Sequence, residues 1–121
     1  NILGGNLGWN LSATATTTLM TVAAEKIVKI NRITVANVDG AAAADVSLFV
    51  DGLTTAGATG ISPTGASATV YLAKTISVPA DATLVISDTP IYLMEGDILK
   101  GGASAASDLD LFISYEVLDD A

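Results

Sequence analysis

The chain has 121 residues, half of them apolar, only 15% charged, and 13 acidic side chains against five basic ones give it a formal charge of −8. Such a length suits one domain around a single core, burying roughly two-thirds of the surface its unfolded chain exposes, and the composition is that of a globular β protein rather than a disordered chain. With no cysteine and no histidine, disulfide scaffolds, thiol nucleophiles, Ser-His-Asp triads and nearly all zinc sites are excluded, and with only Lys26, Lys29, Arg32, Lys74 and Lys100 as cations, nucleic acid is not an expected partner.

Residues 1–16, NILGGNLGWNLSATAT, mix Gly, Asn and small polar residues with isolated Ile2, Leu3, Leu7, Trp9 and Leu11. The pattern predicts an extended N-terminal arm, neither strand nor helix. It either folds back on its own domain or docks on another subunit. The opening lacks the basic residues and long apolar core of a signal peptide, although the first residue is not Met and a signal upstream stays open. No run approaches the ~18–20 apolar residues that a membrane-spanning helix needs.

A β-sandwich domain is expected over 17–121. TTLMTV opens it, followed by KIVKINRITVANV, in which Val28 and Ile30 sit at even positions and Ile33 and Val35 at odd ones. Strand side chains alternate faces, so the change of parity predicts a β-bulge near Asn31-Arg32 that keeps all four on the buried side. After DGAAAA, too short an alanine run to nucleate a helix, DVSLFVDG puts Val46, Leu48 and Val50 on one face of a half-buried antiparallel strand and Ser47, Phe49 and Asp51 on the other.

Residues 52–67, GLTTAGATGISPTGAS, form the longest loop, with Ile61 as the apolar residue in its middle. Loops of more than about 12–15 residues are either mobile or functional. ATVYLAKTISV, TLVI, IYL and ILK follow, separated by turns at Pro79–Ala82, before Pro90 and at Glu95–Asp97. LDLFISYEVL closes the domain, with Leu109, Leu111, Ile113, Tyr115 and Val117 on one face and Phe112 and Leu118 on the other. That predicts a last strand covered on both sides. The sum is all-β: an antiparallel β-sandwich of about eight short strands.

Chemistry is sparse. Asp108 with Asp110, Glu95 with Asp97, and Asp119 with Asp120 are acidic pairs, but none has an EF-hand pattern, and solvated turn residues are the expectation rather than a calcium site. A glycosidase would need two carboxyl groups facing across a cleft, usually with aromatic platforms that one Trp, three Tyr and two Phe scarcely supply. Gly4–Gly8 follows no predicted strand and precedes no helix, so it is no phosphate loop. No catalytic residue, cofactor or metal is expected. The candidate partner contacts are Leu3, Leu7, Trp9 and Leu11 of the arm and Ile61 of the loop.

TTTLMTVAAEKIVKINRITVANV, ADVSLFVDG, YLAKTISVPADATLVI, PIYLMEGDILKG and SAASDLDLFISYEVL together resemble the small β-sandwich virion proteins of tailed bacteriophages, over roughly Thr16 to Leu118. In that group a "TLYTVPAGK"-like opening, an "I-x-V-x-N" strand and an "L-x-x-GD" turn before a final "S-Y" strand recur. Here Ala23-Ala24-Glu25 stands where Pro-Ala-Gly is more usual. The resemblance implies a virion structural protein, first a capsid decoration (cement) protein on the outer surface of the phage head. Its partner would be the major capsid protein, with homo-oligomers such as trimers, and it would pass through the host cytoplasm during assembly. A head-tail connector or tail component is the alternative within that class, and a carbohydrate-binding or adhesin-like module the alternative outside it.

Overall fold

A computed structural model describes residues 2–56 and 60–119. Nine strands run in chain order: β1 (Ile2–Asn10), β2 (Thr17–Thr21), β3 (Lys26–Asn37), β4 (Ala44–Asp51), β5 (Val70–Val78), β6 (Thr83–Ser87), β7 (Ile91–Leu93), β8 (Ile98–Ala103) and β9 (Leu109–Asp119). One sheet has the order β1-β9-β3-β6, with β7 also on β3; the other has the order β2-β8-β4-β5. Every pairing is antiparallel. The molecule is an all-β sandwich, as the alternating patterns require.

Between the sheets lie Ile30, Ile33 and Val35 of β3, Val46 and Leu48 of β4, Leu99 of β8, and Leu109, Leu111 and Ile113 of β9, all essentially without solvent contact. The parity change in β3 is resolved as expected. Ile30 faces Tyr115 and Arg32 faces Ser114, so Asn31 is the extra residue. Its amide reaches the Glu116 carboxylate at 3.2 Å. Val28, Ile30, Ile33 and Val35 are consequently all buried.

Three expectations are corrected. The stretch read as an irregular arm contains a regular strand, β1, whose Ile2–Asn10 pair without a break with Leu118–Asp110. Glycine weakens a strand through backbone entropy, but here β9 supplies a continuous ladder. The Tyr115 ring also lies over Gly5, where a Cβ would come within 2.7 Å of the phenol oxygen. Cross-strand aromatic cover of a glycine restores contact that the strand itself lacks.

The second correction concerns β9. Phe112 is 47% exposed and Leu118 half-buried, so the outer face of this strand is open rather than covered. The third is Phe49, which points outward from β4 opposite Lys100 and Tyr71 and is nevertheless buried. Its ring packs at 4.9 Å from that of Tyr71, and the Lys74 ammonium lies 5.3 Å from the Tyr71 ring.

Between β1 and β2 the chain crosses from one sheet to the other, and this crossing is fastened. Leu11 N–H donates to Leu109 O at 2.8 Å, Ala103 N–H to Ser12 O at 2.9 Å and Ser107 N–H to Leu11 O at 3.2 Å. Thr14 and Ala15 lie against Gly102, where an added Cβ would come within 2.4 Å of the Thr14 carbonyl. β1 therefore leaves a fixed anchor at Leu11.

Candidate functional site: the free edge of strand β1

Among the described residues, β1 pairs with β9 on one side and with nothing on the other. The bond from Leu11 N–H to Leu109 O fixes the alternation of the ladder. Leu3, Gly5, Leu7 and Trp9 direct their backbone groups at β9, and Ile2, Gly4, Asn6, Gly8 and Asn10 direct theirs outward. A row of amide and carbonyl groups thus stands ready for another strand.

Natural sheets blunt such edges with charge, proline, bulges or short length. β1 uses none of these, being nine residues long, unbroken in register, and free of charged residues and proline. The other edges differ. β2 has five residues and a register shift between Thr18 and Met20. β6 has five residues and β7 three, so they split one edge between them. β5 is nine residues long but is interrupted twice against β4 and carries Thr75 at φ 47°.

The side chains of β1 add apolar surface. By register, Leu3, Leu7 and Trp9 lie on the same side as the buried residues of β9. Leu3 (61% exposed) and Leu7 (38%) nevertheless remain in solvent, whereas Trp9 is half-buried against the core. On the outer side Ile2 is 58% exposed, and the missing side chain of Gly8, next to Phe112, leaves a shallow depression of about 310 Å³. Gly8, Trp9, Asn10, Asp110, Leu111 and Phe112 line it. The Asn10 amide donates to the Asp110 carboxylate at 2.7 Å across its rim.

The expected contact residues are therefore divided. Leu3 and Leu7 share the edge. Ile61, 63% exposed, sits in the long loop and joins no cluster with them. Leu11 is corrected: at 2% exposure it belongs to the core, because the crossing to β2 carries it between the sheets. Gly5, Gly8 and Phe112 were not expected as site residues. The signal for them is long-range, small residues of the first strand set opposite aromatics of the last, and it emerges only once β1 and β9 are known to pair.

Several members of the acidic pairs make structural contacts. Asp97 is 5% exposed and accepts the Met94 N–H at 2.8 Å, so it caps its own turn instead of being solvated. Glu95 accepts the Glu25 N–H at 3.0 Å. Asp119 pairs with Lys26, whose ammonium holds its carboxyl below the usual carboxylate range. Asp120 lies outside the described residues. Among those residues no group of three or more acidic side chains is placed to hold a metal ion.

No family model and no curated protein matches the chain. A solved structure similar to it is a chain described in the words "Bacillus endospore appendages form a novel family of disulfide-linked pili". The identity is 14% and the TM-score 0.47, over 100% of this chain and 88% of that one. The expectation of a phage capsid decoration protein is overturned here, since the structural likeness found is to a spore-appendage protein and not to a virion protein. At that distance nothing further is transferred, and the disulfide linkage named for those pili has no counterpart in a chain without cysteine.

Proposed function

We propose that this chain is a structural subunit that acts by contact, joining an assembly through the free edge of β1. The observation that supports this reading is the nine-residue strand with an unbroken register, no charge and no proline at the rim of a sandwich whose other edges are short or interrupted. Such an edge is a template for a further strand, and main-chain hydrogen bonds made there are independent of side-chain chemistry. A block built of short strands and tight turns, with one adhesive rim, suits a structural contact.

Sedimentation of the purified full chain over a wide range of concentrations tests the reading. Species heavier than one chain, growing with concentration, are expected. A monomer at every concentration would overturn the proposal.

A further inference from the structure

Resting on that reading, we infer that the strand which completes the edge is β1 of a second copy, antiparallel and related by a two-fold axis through Gly5. Among the described residues, β1 is the sheet edge that offers a long uninterrupted row, so the surface that matches it best is itself. A patch that pairs with its own copy gives a closed, isologous dimer. Charge points the same way. Two copies of a chain at −8 repel, and β1 is an edge of this length on which neither sign is carried. β6, by contrast, is bracketed by Asp81 and Asp88, and β5 carries Lys74.

The register follows from the outward groups and the exposed side chains. Ile2, Gly4, Asn6 and Gly8 face outward, so these even positions must form the hydrogen-bonded pairs of the new ladder. Setting Gly4 opposite the second copy's Asn6, and Ile2 opposite its Gly8, meets that condition. It lays the exposed Ile2 side chain over glycine, into the depression beside Phe112.

On the other face the same register sets Leu3 directly opposite the second copy's Leu7, twice over, and removes the most exposed leucine of β1 from water. Gly5 meets Gly5 on the axis, with a Tyr115 ring over each. The Asn6 side-chain oxygen already accepts a hydrogen bond from the Ser114 hydroxyl at 2.8 Å. Its amide N–H groups are left to face, across side-chain-free Gly4, the Glu116 carboxylate of the other copy.

Engineered cysteines test the register, since the chain has none of its own. Directly opposed positions on neighbouring strands bring Cβ atoms within disulfide range, and positions four residues out of step do not. Under mild oxidant, the Leu3→Cys/Leu7→Cys double variant is expected to run as a covalent dimer, and each single variant as a monomer on a denaturing gel.

In the second arm, Leu3→Lys/Leu7→Lys sets like charges against each other across the axis. It is expected to weaken dimerisation at least tenfold by sedimentation, with unchanged circular dichroism, whereas Ile61→Lys leaves the dimer intact. Assembly that persists without the cysteine cross-link, or that ignores the lysines, overturns the two-fold β1 pairing and leaves the contact function standing. A parent chain that is monomeric throughout overturns both.

Discussion

Glu25 adopts φ 60°, in the left-handed region where a side chain costs roughly 1–2 kcal/mol and glycine costs little. Its backbone N–H is held by Glu95, and that bond survives loss of the side chain. Glu25→Gly relieves the strain and gives back part of the gain as unfolded-chain entropy, so a net stabilisation of about 0.5–1 kcal/mol is expected, read as a rise of a few degrees in the melting temperature. A lower melting temperature would show that the Glu25 side chain contributes more than its backbone conformation costs. Asp51 makes a second prediction. The Thr69 hydroxyl, the Lys100 ammonium at 2.9 Å and the Gly52 N–H lower its pKa from 3.8 to about 2. A carboxyl whose pKa is lower folded than unfolded contributes stability above 3.8, and that contribution is lost as pH falls through about 2. Asp51→Asn is expected to flatten stability against pH between 5 and 2, slightly, because the carboxyl is only partly shielded from solvent. A nuclear magnetic resonance titration placing Asp51 near 3.8 would contradict this.

At the level of the elements, legibility followed periodicity. β3, β4 and β9 announce themselves because Val28, Ile30, Ile33 and Val35, then Val46, Leu48 and Val50, then Leu109, Leu111 and Ile113 recur at every second position apart from the bulge, and each set is buried. Even the bulge at Asn31 is readable from parity alone. β1 has no such pattern, because Gly4, Gly5 and Gly8 occupy positions where alternation would show. Its strand conformation is imposed by β9, about a hundred residues away in sequence. Leu11 escaped as a core residue for the same reason, since only the crossing to β2 brings it inside. That crossing rests on close backbone approach at β8. Gly102→Ala would place a methyl group 2.4 Å from the Thr14 carbonyl and 2.8 Å from the Ala15 Cα, neither of which can swing aside as a side-chain tip would. A loss of about 1–3 kcal/mol in denaturant unfolding is expected. Unchanged stability would mean that the crossing is loosely held.

For the molecule as a whole, stability depends on two sheets meeting through one layer of aliphatic side chains. Ile113 is at the centre of that layer, fully buried and opposite both Ile33 and Leu7 in register. Ile113→Ala is therefore expected to cost about 2–5 kcal/mol in equilibrium unfolding, whereas a loss below 1 kcal/mol would place the core elsewhere. The order of the strands carries a further consequence for biosynthesis. β1 leaves the ribosome about a hundred residues before β9, the strand it pairs with among the described residues. At about 5–20 residues per second, β1 waits several seconds with both rims unsatisfied. Neighbouring ribosomes on one message hold other nascent copies within reach during that interval, so pairing between chains has a head start over closure of the sheet within each.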